Sequence, residues 1–192
     1  SNESLSTESV DPRSLVIPPE LERLAAETRK EGTRIATLEG NRGQLLYPQM
    51  DKLWNIESIG GSTPLALIRN VKITRVGGGE VPSELLAPTN QSLRLQSVRY
   101  LIMNPMDPSF KSVEGLLLAP NWKEITRIAP SRNFGRWDSN PDARYRIYRN
   151  LNPIPRARLV GQTFALSYDD TKVAIQTSKL PNGERYRPEV HS

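Results

Sequence analysis

The chain contains no cysteine. Disulfides, thiolate metal ligands and cysteine nucleophiles are therefore excluded, while the compartment stays open, because a cysteine-free chain suits both the cytoplasm and the bacterial exterior. The single histidine is His191, next to the C-terminus. A histidine-built metal site or a Ser-His-Asp triad has no basis in such a sequence. No run of about 18 apolar residues is present, so nothing here reads as a membrane-spanning helix, and no secretory leader is visible. The sequence opens Ser1-Asn2 with no initiator methionine. A segment cut from a longer protein is the expectation, and these absences then say nothing of the parent.

The 192 residues are 36% hydrophobic and 24% charged, polar for a globular domain but able to bury one core. Sixteen prolines and twelve glycines imply many turns. The net charge of +5 is uneven. Residues 127–158 carry eight arginines (127, 132, 136, 144, 146, 149, 156 and 158) against Asp138 and Asp142, leaving the remainder slightly acidic. A solvated face is the ordinary meaning of such a bias. Contact with anionic headgroups, pyrophosphate-linked sugars or nucleic acid is the functional one.

Residues 1–14 read as a flexible lead-in and 15–190 as one α+β domain, a mixed sheet of about five or six short strands with helices packed on it. Pro18-Pro19 opens a helix whose Leu21, Leu24, Ala25 and Thr28 share a face, and Gly32 ends it. Strands are expected at 33–38, 55–59, 98–103, 122–128, 144–149 and 157–160. Leu45, Leu46, Met50 and Trp54 are expected core plugs in an irregular stretch, and a helix with Pro64 in its first turn should follow Ser62 or Thr63. Helical turns are expected at 83–86 and 90–97, and a helix after Asp169-Asp170 with Val173 and Gln176 inward. The last dozen residues look frayed. Gly77-Gly78-Gly79 lacks the strand and Lys-Ser/Thr context of a phosphate-binding loop and reads as a plain loop.

No carboxylate pair suits acid–base work: Asp169-Asp170 is better explained as helix capping, and Glu39, Glu57 and Glu80 are scattered. In the basic strand, Tyr145, Ile147 and Arg149 fall on one side and Arg144, Arg146 and Tyr148 on the other. The two tyrosines thus cannot form one stacking platform, and no nucleic-acid-binding signature surrounds them.

Three segments, in order, resemble bacterial polytopic membrane proteins of the YfhO type. The first is Trp54-Asn-Ile-Glu-Ser-Ile-Gly-Gly-Ser-Thr-Pro-Leu65 with Arg69, similar to a family element of short strand, Ser-Ile-Gly-Gly, Pro-Leu and a following arginine; Gly60, Gly61, Pro64 and Arg69 carry the match. Ser62 departs from it, standing where the family usually has an aromatic residue. The second runs through residues 95–103, with Arg99 and Tyr100 in a Ser-Val-Arg-Tyr strand. The third is Arg144-Tyr-Arg-Ile-Tyr-Arg-Asn-Leu-Asn-Pro-Ile-Pro-Arg-Ala-Arg158, where Tyr148, Asn150, Pro155, Arg156 and Ala157 fit a Tyr-Arg-Asn then Pro-Arg-Ala pattern. Residues 167–176 and Arg187-Pro188 are similar to the family's terminal segment.

The resemblance implies an extracytoplasmic soluble domain of a multi-pass protein at the cell membrane, like glycosyltransferases of the GT-C type that use lipid-linked sugars. The domain itself would be non-catalytic, since no residue matches the family's catalytic carboxylate, and would shape the acceptor or carrier site. Its implied partners are the membrane part of the parent chain and a lipid-linked sugar or anionic headgroups; no cofactor, metal or nucleic acid is expected. Arg146, Arg149, Arg156 and Arg158 are the candidate contacts for pyrophosphate or headgroup oxygens, because guanidinium suits bidentate phosphate contact. For Arg156 a structural salt bridge or carbonyl clamp at the proline turn is the first expectation and ligand contact the second. A free-standing basic module binding nucleic acid or another polyanion is the alternative.

Overall fold

The computed structural model describes residues 16–39, 50–59, 80–117, 120–128 and 144–191. The expectations for Leu45, Leu46, Gly60, Gly61, Pro64, Arg69 and the triple glycine, as well as the lead-in, lie outside them.

Helix α1 (Pro19–Glu31) has proline in its first turn, Glu20 and Glu22 at its positive end and Arg29 and Lys30 at its negative end. Each choice suits the unpaired amides or the dipole of that terminus. Leu21, Leu24, Ala25 and Thr28 are its buried stripe, and the Thr28 hydroxyl donates to Ala25 O at 2.9 Å. Gly32 ends the helix at φ +67°, a left-handed conformation that costs glycine little.

Four strands follow: β1 (Arg34–Thr37), β2 (Val98–Met103), β3 (Trp122–Ile128) and β4 (Tyr145–Asn150). Their spatial order is β1-β2-β4-β3, with β1 parallel to β2 and β4 antiparallel to both neighbours. The sheet is mixed and the fold is α+β. Helix α2 (Met50–Leu53) is a single turn, residues Ser83–Leu86 form a 3-10 turn, and α3 (Ser92–Leu95) leads directly into β2. Helix α4 (Pro108–Leu117) connects β2 to β3, and α5 (Tyr168–Thr177) follows the sheet. Among the described residues no helix is long and apolar enough to cross a membrane.

Both faces of the sheet are covered. Leu21, Leu24 and Ala25 of α1 pack on Ile35, Tyr100, Ile102, Tyr145 and Ile147. On the other face Phe110, Val113 and Leu117 of α4, with Leu85, Leu86 and Leu93, cover Ala36, Leu101, Met103 and Tyr148. The interior strand β2 therefore reads as a nearly unbroken apolar run.

Two bulges adjust this alternation. Arg34 pairs with Val98 but Ile35 pairs with Tyr100, so Arg99 is an extra residue in β2. A bulge turns two successive side chains toward one face. Arg99 consequently reaches α1, where its guanidinium contacts Glu31 at 2.7 Å, beside Tyr100 in the same layer. A second bulge inserts Ile125 between Glu124, opposite Tyr148, and Thr126, opposite Ile147.

Several elements depart from the expectations drawn from sequence. Among the described residues the sheet has four strands, against the five or six expected. Residues 55–59 contribute one parallel bridge, Ser58 to Ile35, and Asn55 turns the chain at φ +52° before it. Residues 157–160 form no strand: no strand pairs with them among the described residues, and Leu159 is 98% exposed. Helix α4 was not anticipated. Its signals are Asp107 before Pro108 and apolar Phe110, Val113 and Leu117 at helical spacing. Helix α5 buries Ala174 and leaves Val173 half exposed, and its N-cap is Ser167, whose hydroxyl accepts from Asp170 N at 3.1 Å. Finally, the C-terminal residues are packed, with Leu180 and His191 buried. The His191 ring stands edge-on to Phe164 with centroids 5.2 Å apart, and its Nδ1 accepts from Arg187 N at 3.1 Å.

Burial raises the phenol pKa of Tyr145, and burial followed by a hydrogen bond to Glu27 raises that of Tyr100. An acid whose pKa is raised by folding stabilises fully below its unfolded value, about 10 for tyrosine, and loses that stabilisation as pH climbs toward the folded value. Tyr145→Phe should accordingly flatten the loss of stability above about pH 10. Urea denaturation from neutral to alkaline pH checks this, and parallel curves for the two proteins would contradict it.

Candidate functional site

The arginines of β4 leave the sheet on opposite faces. Arg146 projects with Tyr148 toward α4, its guanidinium 4.8 Å from the Phe110 ring centroid, 3.4 Å from Glu114 and 3.9 Å from Glu124. Arg149 projects with Tyr145 and Ile147 toward α1 and contacts Glu27 at 3.1 Å. Tyr145 and Tyr148 are 1% and 2% exposed and present no ring to solvent for stacking. The basic strand is thus interior, and its charges fasten helices above and below.

Arg156 lies beyond β4 in the proline-rich turn. Its Nη2 donates to Glu57 Oε2 at 2.6 Å, across 99 residues of sequence. Glu57 sits beside Ser58, whose bridge to Ile35 anchors it against the outer edge of β1. Arg34 of β1 and Arg29 of α1 complete a cluster, Arg29 donating to Asn55 O at 2.6 Å and Arg34 to Gln96 O at 3.5 Å. Among the described residues Arg156 alone bonds the Glu57 carboxylate, and Arg34 and Arg29 act on it through charge. The Arg156 hydrogen bond, with the charges of Arg156, Arg34 and Arg29, holds the Glu57 carboxyl below its ordinary pKa. Burial and then the Arg156 charge lower that of Arg34. Among the described residues Glu57 is the one carboxylate ion-paired within the cluster. The arrangement carries a surplus of positive charge at a surface and can accept an anion without burying an unpaired group.

Arg158 is set apart from this cluster. Its Nε is buried and has no hydrogen-bond partner among the described residues, and its charge acts on Tyr186 in the C-terminal segment. The four arginines singled out in the sequence therefore do not converge: Arg146 and Arg149 lie on opposite faces of the sheet, Arg156 at its edge, and Arg158 with the C-terminal segment. Arg29, Arg34 and Glu57 were not anticipated. Glu57 could have been suspected from its place just before Ser58-Ile59-Gly60-Gly61, but its arginines come from elements whose meeting only the fold specifies.

Asn150 joins the motif segments. Its Nδ2 donates to Val98 O at 3.0 Å in the core, its Oδ1 accepts from Asn152 N, and its carbonyl accepts from Arg99. Ser97 donates to Ile154 O at 2.6 Å. Pro155 and Ala157 are exposed and serve the path of the chain. Among the described residues no group of three or more His, Asp or Glu side chains could hold a metal ion. No family model, curated protein or solved structure matches the chain.

Two outcomes test this geometry. Asn150→Ala strands the buried Val98 carbonyl and should cost about 1–3 kcal/mol, measured by urea denaturation. Glu57→Gln should destabilise by less than about 1 kcal/mol at neutral pH, since the pair is largely exposed. A carboxyl with a depressed folded pKa stabilises above its unfolded value and loses that contribution as pH falls through the folded one. The gap between wild type and Glu57→Gln should therefore close in acid, and a constant gap would contradict the pairing.

Proposed function

We propose that this chain is the extracytoplasmic domain of a bacterial multi-pass membrane protein resembling YfhO-type glycosyltransferases that use lipid-linked sugars. The domain does no bond-breaking itself and shapes the carrier or acceptor site above the bilayer. The observation that supports this reading is convergence. The three segments that carry the resemblance are far apart in sequence, yet Arg156 of the third pairs with Glu57 of the first, and Asn150 of the third bonds Val98 and Arg99 of the second. Arg156 and Asn150 thus tie the third segment to the other two in space.

The joint also has the chemistry the role needs. Surplus guanidinium at Arg29, Arg34 and Arg156 suits phosphate oxygens. Close by in the chain, Leu159 is almost fully exposed; an apolar side chain next to arginines suits the headgroup level of a bilayer, where basic residues are drawn to anionic lipid.

Topology is the test. A cysteine replacing Glu184, exposed in the turn between Leu180 and Arg185, is introduced into the full-length parent, which is expressed in cells and exposed to a membrane-impermeant maleimide. Labelling of intact cells is expected. Protection until lysis would place the domain inside and overturn the proposal.

A further inference from the structure

A concavity lies between the 3-10 turn, α3, the start of β3 and the end of β4. It has a volume of about 190 Å³, room for several waters. Carboxamides dominate its lining: Asn90, Gln91, Asn121, Asn150 and Asn152. The Trp122 indole, Arg94 and Arg185 complete the polar and aromatic part, over a floor that includes Leu85 and Leu93. Among the described residues no carboxylate lines it.

Some of these groups hold the walls in place. Gln91 donates to Ser178 Oγ and accepts from Arg94, both within 2.8 Å. Arg94 also bonds Asn152 O and contacts Glu189 at 3.4 Å, so its charge is neutralised, and both ends of the Asn150 amide are engaged. Others remain available. Asn90 uses only its Oδ1, toward Ser92 N. Asn121 uses only its Oδ1, which accepts from Asn152 Nδ2 at 3.3 Å. That leaves Nδ2 of Asn90, Nδ2 of Asn121 and Oδ1 of Asn152 without a partner among the described residues. Arg185 likewise makes no ion pair among them.

We propose that this pocket binds a saccharide ring carrying an anionic substituent, a uronate or a sugar phosphate. Sugar hydroxyls both donate and accept, and carboxamides are the side chains that match both roles without charge. An indole supplies a flat apolar surface for the C–H face of a pyranose. The unpaired guanidinium of Arg185, in a lining free of carboxylates, selects for negative charge. The volume limits the occupant to about one ring. This inference stands on the pocket alone, so it holds on whichever side of a membrane the domain resides, and its failure leaves the topology reading untouched.

The test is NMR titration of this 192-residue chain with hexuronates, hexose 1-phosphates and neutral hexoses of gluco, galacto and manno configuration, with inorganic phosphate alone as control. Saturable shifts are expected in the side-chain amides of Asn90, Asn121 and Asn152 and in the Trp122 indole N–H. At least one anionic sugar should bind about tenfold tighter than its neutral counterpart, one ion-paired hydrogen bond's worth of discrimination. Arg185→Ala should erase that preference, and Asn121→Ala should weaken all sugar binding, with unfolding of both variants unchanged within a few degrees of the parent. Absence of shifts with every sugar, shifts mapping elsewhere, or the same shifts from inorganic phosphate alone would overturn the proposal. So would wild-type affinity and preference in both folded variants.

Discussion

A strand buried on both faces that nonetheless carries arginines must send each guanidinium past the apolar layer to a partner. That constraint on β4 organises the molecule. Its apolar positions, Tyr145, Ile147 and Tyr148, fill both cores, while Arg146 and Arg149 reach Glu114 and Glu27 on helices of opposite layers. Arginine is suited to this because its long stem packs as hydrocarbon and its head stays charged at the boundary with water. Partly exposed pairs of this kind contribute little net stability. Their effect is to set the register of α1 and α4 over the sheet, where a shift of either helix would leave a half-buried charge unpaired.

The Arg99 bulge extends the same logic to β2. An extra residue turns Arg99 toward Glu31, one helical turn beyond Glu27, so two strands hold neighbouring turns of α1. From there the end of β4 becomes a branching point. Asn150 and Ser97 hold residues 151–154 against the β2 entrance. The following chain then returns to pack α5 beside α3 through Gln91 N and Ile175 O at 2.8 Å. The Glu57 cluster and the carboxamide pocket are both consequences: one forms where the turn after β4 meets the outer strand, the other where that turn, α3 and β3 come together without filling the space between them.

Local chemistry made much of the fold legible. Proline at the start, glycine at the end and a four-residue stripe specify α1 within a residue, because capping and amphipathicity act over a few residues. The alternation in 144–149 correctly separates Tyr145 from Tyr148 for the same reason. Elsewhere the local signal misled. Residues 157–160 have the composition of a strand but no neighbour to pair with. Val173 looks the more buried of the two, yet Ala174 is the side chain that faces the interior. Asp107-Pro108, a pair that equally suits a break in the chain, starts α4.

The candidate sites divide in the same way. The run of arginines and tyrosines, the turn at 152–155 and the order of the three family-like segments are properties of the amino-acid sequence by itself, as are the lack of thiols and the near lack of histidine. The partner of each charge was decided by tertiary structure alone. Arg156 and Glu57 are 99 residues apart, and the spacing of neither predicts the other. A side chain's periodicity shows which way it points from its own element, whereas pairing depends on which element lies across from it, and that is settled only when the sheet order β1-β2-β4-β3 is assembled.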